Sequence, residues 1–156
     1  MLFLRLLAVS LALLLSNCAY RRVDPVAGQS LKGKQTFFVE RHPKEDWNYH
    51  QMIADEIAFL GYTASAGEPG RAPAGVDAIV TYDDHWSWDI TPWMYMLDIS
   101  ILDARTRSLI ISGNSARGSL ERRSPTTMAK ETLGVIFGTV KPNRKPQEAK
   151  KADQTP

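Results

Sequence analysis

Three groups of side chains in this sequence carry usable chemistry. Cys18 is the only thiol among 156 residues. It has no disulfide partner within the chain, so its roles reduce to nucleophile, lone metal ligand or attachment point. Asp83, Asp84, His85 and Asp89 supply the donor atoms of a metal site. Successive strand residues point to opposite faces, however, so only Asp83, His85 and Asp89 fall on one side, with His42 able to join from a distant loop. Three weak ligands on a solvated strand face do not define a metal site. The third group is aromatic: Trp86, Trp88 and Trp93, three of the chain's four tryptophans, fall within one short stretch together with Met94, Tyr95 and Met96.

Conventional catalytic patterns do not emerge. Ser112-Gly113-Asn114-Ser115 offers hydroxyls without a strained nucleophile elbow or a positioned base. No glycine loop precedes a helix to cradle phosphate, and no cysteine or histidine spacing suits zinc. The expectation is a protein with no catalytic residue, no metal and no cofactor.

What precedes Cys18 decides its role. Arg5 supplies a cation, Leu6 to Leu15 an apolar run, and Ser16 and Asn17 the small or polar residues before a cut, which are the three parts of a secretory signal. The run is about half the ~20 residues a spanning helix needs, so cleavage is expected rather than spanning. The stretch Leu15-Ser16-Asn17-Cys18 resembles the bacterial lipoprotein signal, which is cut before a cysteine bearing a diacylglycerol thioether and an N-acyl chain. Leu15, Ser16 and Cys18 fit that box; Asn17 stands where Gly or Ala is usual. Each buried methylene adds ~0.8 kcal/mol of membrane affinity, so several chains on one cysteine anchor firmly. The resemblance implies attachment to the bacterial envelope. Ala19, where an inner-membrane retention signal would have Asp, implies the outer membrane, facing the periplasm.

The organisation expected from these features is a signal peptide over residues 1–17, the lipidated cysteine and a tether over 18–34, one domain over 35–140 and a disordered basic tail over 141–156. The tether reading rests on Arg21-Arg22, Pro25, Gly28 and Gly33 without an apolar period,. The tail has five Lys/Arg against two Asp/Glu and no large apolar residue to seed packing. Such an end is either simply solvated or touches peptidoglycan, anionic glycan or phospholipid. Between them, Cys18 to Val140 carries 13 basic and 15 acidic residues, a balance that argues against nucleic acid as a partner.

The periodicities order the elements. Thr36 to Glu40 reads as a strand. Trp47 to Leu60 repeats apolar residues at three and four, with Asp46 as N-cap and Gly61 as stop, the pattern of an amphipathic helix. Tyr62 to Ala66 suits an edge strand. Ala78 to Asp89 and Trp93 to Asp103 alternate, and a third strand at Ser108 to Ala116 completes an antiparallel meander. Ser124-Pro125 opens a closing helix that runs to about Phe137 before Gly138. The order β-α-β-β-β-β-α gives an α+β two-layer sandwich, a mainly antiparallel sheet of 4–5 strands with two helices on one face.

Two readings of the tryptophan hairpin remain open at this level. Trp86, Trp88, Trp93 and Tyr95 are core aromatics at the wide end of the sandwich, or part of the group is an exposed platform for a partner or a sugar. Met94 and Met96, on the alternate face from Trp93 and Tyr95, favour the exposed version. Asp84 falls on the apolar face of its strand. As a buried acid it needs backbone donors or an arginine, with Arg117, Arg122 and Arg123 as candidates. His50 is expected on the helix surface.

The lipobox, the strand ending Val39-Glu40, the helix ending Leu60-Gly61-Tyr62, and Trp86-Ser87-Trp88-Asp89-Ile90-Thr91 followed by Leu102-Asp103-Ala104-Arg105-Thr106 resemble small proteobacterial lipoproteins of unknown function. That resemblance carries no catalytic residue. The sequence thus points to a membrane-anchored, non-enzymatic envelope contact or assembly module with an envelope protein as partner. The alternative is a lipoprotein that binds glycan or a small ligand on the tryptophan hairpin.

Overall fold

A computed structural model of the chain describes residues 19–143. The signal segment, Cys18 and the tail from residue 144 lie outside the described residues. The elements are β1 (Tyr20–Pro25), β2 (Thr36–Glu40), α1 (Tyr49–Phe59), β3 (Thr63–Gly67), β4 (Ala78–Trp88), β5 (Pro92–Asp103), β6 (Leu109–Ala116), a 3₁₀ turn (Ser119–Glu121) and α2 (Pro125–Ile136). The strands form a six-stranded mixed sheet in the order β1-β6-β5-β4-β2-β3. The long meander β4-β5-β6 is antiparallel. The chain then crosses over so that β2 runs parallel to both β3 and β4, as the β2-α1-β3 unit requires.

One strand falls where a tether was expected. Tyr20 to Pro25 pairs antiparallel with β6, from Tyr20 opposite Ala116 to Pro25 opposite Ile111. The segment lacks apolar alternation because it is an edge strand held by its backbone. Only Val23 packs against the core, while Arg21 reaches Glu131 at 3.6 Å and Arg22 pairs with Asp24 at 2.7 Å. Charged side chains on an edge are a common guard against unwanted pairing. Asn143 ties the two ends of the domain together: its side-chain oxygen accepts the Arg21 N–H at 2.6 Å and its own N–H donates to the Arg21 carbonyl at 3.0 Å.

The helices cover one face. Ile53, Ile57 and Ala54 of α1 and Met128, Ala129 and Leu133 of α2 close over Phe37, Val39, Val80, Tyr82, Leu97, Ile99 and Ile101 in one apolar cluster. Helix α2 begins as its sequence suggests, with Ser124 Oγ accepting the Thr127 N–H at 3.2 Å and Pro125 in the first turn. Helix α1 begins two residues later than Trp47. Asn48 adopts a left-handed conformation at φ 55, and the Glu45 carboxylate, not Asp46, accepts the His50 N–H at 3.1 Å. Trp47 is thereby left outside the helix and exposed.

A bulge resets the phase of the hairpin. His85 pairs with Met96 but Trp86 pairs with Met94, leaving Tyr95 as an extra residue on β5,. Both Leu97 and Met94 then face the core, and Met94 is only 1% exposed. Strict alternation had placed Met94 on the outer face. The extra residue turns that expectation over for the β5 residues between the bulge and the hairpin turn, while Trp86 of β4 keeps the helix side.

Candidate functional site

The aromatic residues gather at one end of the sheet, where β4 ends, β5 begins and β6 ends. Trp88 is 72% exposed and Ile90 89% exposed at the hairpin tip, with Leu120 of the 3₁₀ turn and Trp47 of the loop before α1 exposed beside it. Tyr20, the first residue of β1, pairs with Ala116 at that same end. The tip is braced from below. Arg122 forms an ion pair with Asp89, donates to Thr91 Oγ1 at 2.8 Å, and lies 5.4 Å from the Trp93 ring centroid. The Arg122 guanidinium beside Asp89 holds its carboxyl below the usual carboxylate range. Trp93 in turn meets Tyr95 edge to face at 6.2 Å.

Behind the tip lies a cleft of about 320 Å³ between the loop leading into α1 and the hairpin. Trp86 forms one wall. It is 40% exposed, stacks on Tyr49 with centroids 6.3 Å apart and planes 22° from parallel, and its indole N–H donates to Asp84 at 2.7 Å. Lys44, Asp46, Trp47 and Pro92 complete the lining. Burial, followed by the charges of Asp84 and Glu45, pushes the Tyr49 hydroxyl up. The cleft therefore combines aromatic faces with two carboxylates and one lysine. This is a surface able to stack on a flat or apolar ligand face and to hydrogen-bond its polar rim.

The remaining candidates are dispersed. Asp84 is half-buried and takes the Trp86 indole as its partner, not an arginine. Two of the three expected arginines are engaged elsewhere, Arg117 with Glu131 and Glu121 and Arg122 with Asp89. Met94 belongs to the core, while Met96 is half-buried with its sulfur 3.6 Å from the Tyr20 hydroxyl. The three residues of the acid and histidine face do not converge: Asp83 stands 3.6 Å from His42, His85 stands 3.0 Å from Asp98, and Asp89 belongs to Arg122. Among the described residues no group of three or more His, Cys, Asp or Glu side chains could hold a metal ion.

Two buried acids were not apparent from sequence. Glu40 is 6% exposed and accepts both Arg107 guanidinium nitrogens at 2.7 and 2.8 Å, together with the Gly70 N–H. Glu45 is equally covered and lies 2.7 Å from His50 Nδ1, so His50 is largely enclosed instead of facing solvent. Glu40 sits in the polar run that ends β2, and its partner comes from a turn 67 residues later. Only the crossover of β2 onto β4 brings them together.

The fold places the domain in the α+β class of mixed sheets covered on one face by two helices. Two solved structures share that arrangement. A point variant of the PelC dodecamer from Paraburkholderia phytofirmans matches with a TM-score of 0.52 at 12% identity, covering 74% of this chain and 94% of that one. The PelC dodecamer in a second crystal form matches with a TM-score of 0.50 at 13% identity, covering 72% and 95%. At such identities the likeness is one of fold. No protein-family model matches the chain, and no curated protein matches its sequence significantly. Among the described residues no helix is long and apolar enough to cross a membrane.

Proposed function

We propose that this protein is a lipid-anchored, non-enzymatic module of the bacterial envelope, held by acyl chains on Cys18 at the outer membrane and facing the periplasm, where its domain serves contact or assembly. The observation that carries this reading is the placement of β1. The residue two positions after the lipobox cysteine is already locked into the sheet, at the end that carries the exposed apolar side chains. A cysteine so close to the domain's exposed surface suits attachment better than catalysis. Cys18→Ala in the full chain tests the reading. Membrane fractions should lose the protein, and retention of the variant in washed membranes at the precursor's size contradicts the anchor.

A second reading is favoured by the cleft. Trp86, Tyr49 and Trp47 beside Asp84, Asp46 and Lys44 form a surface that suits a glycan or another small polar ligand with an apolar face. Titration with peptidoglycan fragments, followed by tryptophan fluorescence, tests it. Saturable quenching that Trp86→Ala abolishes supports ligand binding, and an unchanged signal removes it. The similar fold of a dodecameric protein also makes a second copy of this chain a candidate partner, which the mass of the extracted protein in solution reads directly.

A further inference from the structure

We infer that the end of the domain bearing Trp47, Trp88, Ile90 and Leu120 rests in the headgroup layer of the phospholipid membrane to which Cys18 is attached. The inference rests on the acylation proposed above and adds to it an orientation and a second membrane contact.

The first argument is one of reach. Tyr20 is fixed opposite Ala116, and Ala116 opposite Met96, so these three residues define one level of the sheet. Cys18 lies two residues before Tyr20 and, at about 3.5 Å per extended residue, is at most ~7 Å from that level. The β5 strand continues from Met96 to Pro92 opposite His85 to Trp88, and with Tyr95 bulged out three paired steps at about 3.3 Å carry the start of the hairpin turn ~10 Å past the same level. Strand β1 runs antiparallel to β6, so the chain enters β1 from the side of that tip. A cysteine whose acyl chains enter the bilayer therefore holds this end of the sheet near the surface, and only a tilt of the whole domain about the β1 edge would lift the tip clear. A loose tether over residues 18–34 would have supplied slack, but β1 consumes it.

The second argument is composition. Of the seven large hydrophobic side chains exposed among the described residues, Trp47, Trp86, Trp88, Ile90 and Leu120 are at this end, and only Phe59 and Leu109 are elsewhere. Tryptophan with aliphatic neighbours is the pairing that settles at a membrane interface, with the ring body in the acyl boundary and the N–H in the headgroups. At the hairpin tip itself Asp89 is paired with Arg122, and the cleft carboxylates Asp46 and Asp84 stand beside Lys44 and the Trp86 indole N–H.

The third argument is charge. Asn143 is bound to Arg21 and Ala19, so the chain that continues into Arg144, Lys145, Lys150 and Lys151 departs from the anchored end too. Basic residues close to an anionic leaflet are drawn to it. The described residues from which the anchor and the basic tail continue, Ala19 and Asn143, are therefore at the same end of the domain as the apolar tip.

The test uses the mature lipidated protein reconstituted into vesicles of phosphatidylethanolamine and phosphatidylglycerol. Cys18 is consumed by its thioether, so Ile90→Cys, Leu120→Cys and, at the opposite end, Arg105→Cys each offer one thiol for a polarity-sensitive dye. All three sites are exposed, and the substitutions leave the core untouched. The expected result is a blue-shifted emission, quenched by brominated lipid, from the dye at positions 90 and 120 and not from the dye at 105. Flotation with the vesicles is read in the same sample. Protein that floats while all three dyes report water overturns the membrane docking and leaves the anchor standing. Protein that does not float overturns the anchor and this inference with it. Dyes that report water on vesicles but become shielded in native envelope fractions assign the tip to a protein partner, which also overturns it.

Discussion

Met94→Ala and Ile90→Ser, four residues apart on one hairpin, should have opposite consequences. Met94 is 1% exposed and lies within the cluster formed by both helices and the central strands. Truncating a fully buried methionine removes its transfer energy and leaves a cavity, together about 2–5 kcal/mol. For a domain of this size 1 kcal/mol shifts the melting temperature by roughly 4 °C, so a central loss of about 3 kcal/mol lowers it by ~12 °C. Ile90 is 89% exposed. Burying a whole isoleucine contributes about 1.5–3 kcal/mol, and the tenth of it covered here amounts to about 0.3 kcal/mol, or ~1 °C. Trp88→Ser, at 72% exposure, belongs with Ile90 and should cost under ~1 kcal/mol by the same scaling. Thermal unfolding followed by circular dichroism reads all three at one protein concentration. Equal destabilisation by Met94→Ala and Ile90→Ser, or a silent Met94→Ala, would refute the bulge-shifted phase on which the exposed tip depends.

Two further predictions concern the body of the domain. The Arg107 hydrogen bonds, working against burial, hold the Glu40 carboxyl below its ordinary value. Their stabilisation is therefore complete above the unfolded pKa near ~4.3 and is lost as pH falls through the folded value. Breaking a fully buried pair costs about 3–5 kcal/mol. Arg107 is half-exposed, which screens the loss for Arg107→Met to about 1–2 kcal/mol. The gap from wild type in urea midpoint should be open at neutral pH and close below about pH 4; a gap of equal size at both ends contradicts the assignment. Gly113→Ala should cost about 1–3 kcal/mol by overpacking, because an added Cβ would stand 2.7 Å from Ile136 Cγ1 and 3.3 Å from the Arg22 carbonyl oxygen. Pairing the substitution with Ile136→Val should recover part of that loss, and failure to do so places the crowding elsewhere.

The long elements were legible because their signals are local. Strands β4 and β5 alternate in sequence over more than eight residues, and α2 announces itself through Ser124, Pro125 and Gly138. Strand β1 was not legible, since an edge strand with one side to solvent needs only a backbone partner, and that partner lies some 90 residues away. The parallel pairing of β2 with β4 was hidden for a related reason: periodicity reports which side chains share a face, not which strands are neighbours. At the site, the sequence located the tryptophan hairpin but not its inward and outward sides. One extra residue at Tyr95 reverses the alternation and sends Met94 into the core. Trp47 was assigned to the first helical turn, and its release into the cleft follows from the left-handed Asn48 and the Glu45 cap, neither of which has a period to read. Asp84 found the indole two residues along its own strand, a closer donor than any of the three arginines.

The account turns on Cys18 as the point where the chain meets the membrane, and intact mass spectrometry of the protein extracted from cell envelopes tests it most directly. The prediction is a chain that begins at Cys18, lacks residues 1–17, and carries on its N-terminal peptide the added mass of a diacylglyceryl thioether with an N-acyl chain. An N-terminal peptide with a free, unmodified Cys18, or a chain that retains Met1 through Asn17, would contradict the anchor and the orientation of the domain derived from it.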